Sequence, residues 1–207
     1  MKPTRNNIFL CFSAIPIVIH FYLLNQTIIN FPGWGDDFLF VELIEHYQKD
    51  SWRDFGGFLF KPHNQIHILF FGKVFTLFAY LIFGSLQFKY IILLGNLLLL
   101  GIATFFYKYL QAQKFSTAHF ISIACILFAP MASIDQYNLI GVLQHTGSLF
   151  FLTLIAYVAA SRKHSVILCI AAVFYPLVST EGWAMLPLLT MYMYLAKHPL
   201  RKLMLLL

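Results

Sequence analysis

Two adjacent carboxylates, Asp36 and Asp37, sit in the stretch FPGWGDDFLFVELIEHYQKDSWRDFGGFLFKPHNQIH, which gathers six of the chain's eight acidic residues. A carboxylate can take a proton from an acceptor group if it comes within about 3 Å of that proton, or acts through one water. Neighbouring residues at a helix start point about 100° apart, so the pair cannot share one proton. One acid is then free for chemistry while the other caps the helix N-terminus, where negative charge is favoured. Lys61 and Arg53 carry charge that could neutralise a phosphate; the plainer reading is a pair of snorkelling interfacial cations. His63 and His67 stand four residues apart, which on a helix puts both imidazoles on one face and lets them share a metal. The stretch lacks the glutamate of H-E-x-x-H and a third ligand, so a polar helix face toward a cavity is the favoured reading and a divalent metal is left open. Farther on, Asp135, Asn138, Gln144, His145 and Glu181 punctuate apolar runs. They are candidates to line the same cavity, with capping and exposure to water as the plain alternative.

The elements that would hold these groups are apolar. The 207-residue chain is 60% hydrophobic, 18% aromatic and only 11% charged, with a mean hydropathy of +0.75. A soluble domain carries about 25% charged residues, so the composition implies an all-α, multi-span membrane protein. Its net charge of +6 then bears on orientation and lipid contact, not on nucleic acid. Apolar runs fall at 8–24, 66–84, 90–107, 118–133, 143–160, 166–179 and 183–196. Cys11, Cys125 and Cys169 lie inside such runs without C-x-x-C spacing, which favours small buried residues over a disulfide framework or a metal site. The basic start and apolar stretch MKPTRNNIFLCFSAIPIVIHFYLL has no small-x-small cleavage site after it, so it reads as an uncleaved first span. The final RKLMLLL resembles the opening of another span, so truncation at the C-terminus is expected.

Charge sets the topology. If every run crossed, YKYLQAQK, SRKHS and KHPLRK would lie outside, against the positive-inside tendency. If the run 66–84 lies along the outer interface instead, Lys2, Arg5, Lys108, Lys114, Arg162, Lys163, Lys197, Arg201 and Lys202 are all cytoplasmic. The outer side then receives all eight acids, Asp135 and Glu181 included. Lys73, in the middle of that run, would cost about 2.5–3.5 kcal/mol at the bilayer centre, so it is expected to turn toward water or a carboxylate. The expected organisation is one membrane domain over 1–207. It has a first span at 8–24, an extracytoplasmic loop at 25–65, a juxtamembrane helix at 66–84 and further spans within 88–196, about six in all. Within the loop, a helix from Asp36 places Leu39, Leu43 and Tyr47 on one face with Glu42 and Glu45 off it. FGG should break that helix and Pro62 should open the next.

These residues resemble a known family. Asp36-Asp37 just after a first span, Glu42, Trp52, then Lys61-Pro62 before an apolar stretch ending in Phe83-Gly84, are similar to the first periplasmic loop of GT-C glycosyltransferases. The nearest likeness is the bacterial lipid A aminoarabinose transferase and protein mannosyltransferase branch. There are departures, since the second acid is Asp rather than Glu and KPHNQIH replaces a double proline. The resemblance implies a GT-C-like fold and transfer of a sugar from a polyprenyl-phosphate carrier to an extracytoplasmic lipid, glycan or protein acceptor. It implies Asp36 or Asp37 as general base or metal-binding carboxylate, Lys61 and Arg53 on the donor phosphate, and His63, Glu181, Asn138 and Gln144 around the substrate. It also implies a bacterial inner membrane with the N-terminus in the cytoplasm. The rival expectation is a non-catalytic membrane protein: a transporter or flippase piece, or an inactive relative. A transporter should show polar groups near mid-bilayer in repeated halves.

Overall fold

The computed structural model describes residues 5–33, 35–63, 67–129, 136–161 and 165–195. Among the described residues the regular structure is helical apart from a single two-residue bridge. In chain order come α1 (Arg5–Thr27), a 3-10 turn (Gly35–Asp37), α2 (Phe38–Lys49), α3 (Trp52–Phe60), α4 (Phe70–Phe83), α5 (Phe88–Ala112) and α6 (Ala118–Leu127). Then α7 (Leu139–Gly141) runs through a π turn (Val142–Thr146) into α8 (Gly147–Ser161), followed by α9 (Ser165–Val178) and α10 (Glu181–Leu195). About 20 apolar residues are needed to cross a bilayer. Among the described residues three helices meet that length: Asn7–Thr27, Phe88–Ala112 and Leu139–Ala160, of 21, 25 and 22 residues.

Side-chain contacts fix how these helices run. Lys89 Nζ donates to the Asn25 carbonyl at 2.8 Å and Asn30 Nδ2 to Gln87 Oε1 at 2.9 Å, so α1 ends where α5 begins. The rings of Tyr107 and Phe120 are 5.3 Å apart, and those of His20 and Phe128 are 5.5 Å apart. Helix α6 therefore starts beside the end of α5 and rises to the end of α1. Gly95 and Gly101 let α5 approach α7–α8, since a Cβ at either would come within 2.5 Å of Val142 Cγ1 or Phe150 Cε2. Small residues serve this purpose between apolar helices, where backbone proximity replaces large side chains. The pairing of 95 with 142 and 101 with 150 makes those two helices parallel. Ser148 Oγ lies 3.1 Å from Tyr175 Oη and Gly147 faces Val178, so α9 returns antiparallel to α8.

The segment from α2 to α4 thus leaves and re-enters the bundle at one end. It is built on the period expected for α2: Leu39, Phe40, Leu43 and Ile44 are buried, with Tyr47 half-buried behind them and Glu42 and Glu45 exposed. That face packs with Phe55 and Phe58 of α3, and with Ile91, Leu139 and Val142 from the long helices, in one core.

Several local expectations are corrected. FGG does not break the helix, because Gly56 and Gly57 lie within α3 and the break falls at Asp50–Ser51. Ser51 Oγ accepts from the Asp54 N–H at 3.3 Å and donates to Asp54 Oδ2 at 2.7 Å. That N-cap, with the burial of Phe55 and Phe58 in the core, offsets two glycines costing about 1 kcal/mol each. Pro62 opens no helix; α4 begins at Phe70 and is capped after Phe83 by Gly84, whose φ of 68° is the left-handed conformation glycine adopts without strain. Lys73 faces neither water nor a carboxylate. It is fully buried, and its ammonium donates to the carbonyls of Phe58 at 2.7 Å and Lys61 at 2.9 Å. It therefore caps the C-terminus of α3 from a neighbouring helix. The cysteines are free but not buried: Cys11 and Cys125 are exposed and Cys169 is half-buried.

Candidate functional site

Asp36 and Asp37 diverge as adjacent residues at a helix start must, and the structure gives them different surroundings. Asp37 is completely buried. Its Oδ2 accepts from the N–H groups of Gly33 at 2.9 Å and Leu139 at 3.4 Å, and its Oδ1 accepts from the Ile140 N–H at 2.9 Å. One of the acids was expected to cap its own helix, α2; Asp37 makes no side-chain cap there and instead caps α7, a hundred residues on. The first N–H groups of a helix lack intrahelical partners and carry partial positive charge, so a carboxylate seats well on them. With its oxygens held by backbone donors, Asp37 is poorly placed as a base. Asn138 is likewise structural: it is buried and its Oδ1 accepts from the Gly141 N–H at 2.6 Å as N-cap of α7.

Asp36 points the other way. Its side chain is 57% exposed, and Oδ1 lies 3.3 Å from Nε2 of His63, whose side chain is only 15% exposed. His63 and His67 do not share a helix face as their spacing suggested. They exchange backbone hydrogen bonds, His63 N–H to His67 O at 2.7 Å and His67 N–H to His63 O at 3.0 Å. Residues directly opposed in an antiparallel bridge project to the same side, so such a bridge can bring residues four apart to one side as a helical turn does. The His67 ring nitrogen Nδ1 is 3.2 Å from Thr180 Oγ1, which moors the bridge to the turn between α9 and α10. That turn is tight because Gly182 has no side chain; a Cβ there would sit 2.5 Å from the backbone of Tyr175 and Pro176.

The cations divide. Arg53 and Lys61 are exposed on α3 and at its C-cap, while the Lys61 carbonyl is held by Lys73. The Lys73 ammonium lies 4.6 Å from the centre of the Phe58 ring. Burial, followed by the nearby Lys61 charge, pushes its pKa from 10.5 down to about 8, and Glu42 pulls it back only in part. Gln144 is buried in the π turn and His145 beside it is exposed. The backbone of Glu181 starts α10, next to Thr180; its side chain and Asp135 lie outside the described residues. Among the described residues no group of three or more His, Cys, Asp or Glu is placed to hold a metal.

The structure thus brings Asp36 and His63 together, with His67 and Thr180 behind them, and engages the side-chain oxygens of Asp37 and Asn138 with backbone N–H groups. Thr180 was not singled out in the sequence. Its signal was a Thr just before a helix start in STEG. Two apolar grooves lie elsewhere. One, of about 470 Å³, runs between α5 and α8 past Phe105, Tyr109, Leu152 and Tyr157. The other, of about 310 Å³, runs between α8 and α10 past Ile155, Met185 and Leu189. No family model, curated protein or solved structure matches the chain.

Proposed function

We propose that the protein is a GT-C-type membrane transferase, or the N-terminal module of one. It would move a sugar from a polyprenyl-phosphate carrier to an extracytoplasmic lipid, glycan or protein acceptor. The observation that carries this reading is the exposed Asp36 carboxylate beside His63, at the end of the bundle where α2, α3 and α4 pack together. In this reading Asp36 removes the acceptor proton, and the exposed Lys61 and Arg53 meet the carrier phosphate at headgroup level. The test is transfer of labelled sugar from a polyprenyl-phosphate donor by protein in lipid vesicles. Turnover onto a lipid, glycan or peptide acceptor is expected; its absence across donors, with folded protein, favours the rival. That rival, a non-catalytic transporter or flippase piece or an inactive relative, draws on one observation. The second acid of the pair is occupied by the backbone, which leaves only one carboxylate of the two for chemistry.

The membrane arrangement belongs to the same proposal. Six crossings, by α1, α5, α6, α7–α8, α9 and α10, put the N-terminus in the cytoplasm of a bacterial inner membrane, with α2–α4 outside. The meeting of the α1 and α5 ends supports it. Cysteine labelling in intact cells checks it, in a background where the exposed Cys11 and Cys125 and the half-buried Cys169 are replaced. A membrane-impermeant maleimide should modify Ser51→Cys and spare Ser165→Cys. Labelling at Ser165→Cys from outside would invert the arrangement.

A further inference from the structure

We propose that His63 is a positioning residue for the Asp36 carboxylate, and that the His63–His67 bridge moored at Thr180 makes the α9–α10 turn part of the same site. This rests on the transferase reading above. A carboxylate more than half exposed is free to rotate, yet proton removal needs it within hydrogen-bond reach in one orientation. His63 supplies the restraint. Its Nε2 is buried without a well-aligned hydrogen-bond partner, and the Asp36 oxygen lies 3.3 Å from it. An attractive contact with a carboxylate requires that nitrogen to carry the hydrogen. The geometry is loose, as such contacts often are before substrate tightens them.

The imidazole is itself restrained. Its backbone is held by two hydrogen bonds to His67, and the His67 ring meets the Thr180 hydroxyl across 113 positions of sequence. A shift of the α9–α10 turn would therefore move His67, then the bridge, then His63 and the carboxylate. Gly182 holds that turn hard against Tyr175 and Pro176, so the anchor is stiff. The restraint thus originates in the helical bundle and not in the segment that carries Asp36.

Kinetics and spectroscopy test this in the full-length protein in vesicles. His63→Phe should lower kcat by about 10²-fold with little change in KM, the size expected when a reacting group is misplaced by about 1 Å. His63→Gln, whose amide nitrogen can reach the place of Nε2, should recover most of the loss. Thr180→Val should lower kcat less, and Thr180→Ser should restore it. In nitrogen-15 spectra of histidine-labelled protein, Asp36→Asn should shift the His63 Nε2 resonance, identified by its loss in His63→Gln. An unmoved resonance, or a loss in His63→Phe that glutamine does not recover, overturns the proposal. A wild type without transfer activity sinks the reading it rests on; an active wild type whose His63→Phe variant transfers normally sinks the positioning role alone.

Discussion

Replacing Asp37 with asparagine is expected to destabilise the protein by about 3 kcal/mol or more, whereas Asp36→Asn should leave stability unchanged within about 0.5 kcal/mol. The two residues are neighbours, so the contrast comes from environment alone. Asp37 is fully buried and accepts from three backbone N–H groups. Hydrogen bonds to a charged group contribute about 1.5–3 kcal/mol each, and a buried donor left without a partner costs about 1–3 kcal/mol. Asparagine keeps the size but turns an NH2 toward at least one of those donors. It also removes the negative charge from the N-terminus of a helix that continues to Ala160. On activity the order reverses: in the transferase reading Asp36→Asn removes the base and should lower turnover by about 10²–10⁴-fold. Unfolding monitored in detergent, beside transfer in vesicles, checks both halves. Equal stability losses in the two variants would refute the division of labour.

Lys73→Met is expected to destabilise the protein by about 1–3 kcal/mol at neutral pH and by more at pH 10. Methionine keeps the stem but leaves the carbonyls of Phe58 and Lys61, at the end of α3, without their donor. The pH dependence follows from the lowered pKa. A lysine that titrates near 8 when folded, against the usual 10.5, binds its proton less tightly in the native state than in the unfolded one. The penalty for holding the charge is complete below pH 8 and disappears as pH rises toward 10.5. Wild-type stability should therefore climb across that window, by roughly 3 kcal/mol at most from a shift of this size. In Lys73→Met that rise should vanish. Unfolding free energies of both proteins between pH 7 and 10 provide the check.

The helices were legible where the sequence repeats one signal along its length. The apolar runs at 8–24, 90–107 and 143–160 become the three long helices, and the spacing of Leu39, Leu43 and Tyr47 becomes the inner face of α2. Errors gathered where two local signals competed. Gly56-Gly57 looked like a stop, but Ser51 and Asp54 offered a stronger start one turn earlier. His63 and His67 fit a helical turn and a bridge equally well, since both bring residues four apart to one side. The long-range contacts left no trace in any short window. Nothing near Asp37 announces that its partners are the amides of Leu139 and Ile140, and nothing near Lys73 announces carbonyls on α3. Such contacts come from tertiary packing, in which any buried donor or acceptor must find a partner wherever the chain provides one.

The π turn at Val142–Thr146 gives the chain some slack in length. Each of its hydrogen-bonded rings encloses one residue more than an α turn does. Deleting one residue there would tighten it to ordinary α geometry and keep the downstream phase. Phe150 would still meet Gly101, and Ser148 would still meet Tyr175. The same deletion two turns later, at Thr153, would rotate everything beyond it by about 100° and turn Ile155 and Ala159 out of their core with α9. A single-residue deletion scan along 139–161 should therefore find a single tolerant window, five residues wide, between a seated N-terminus and a helix whose phase is fixed.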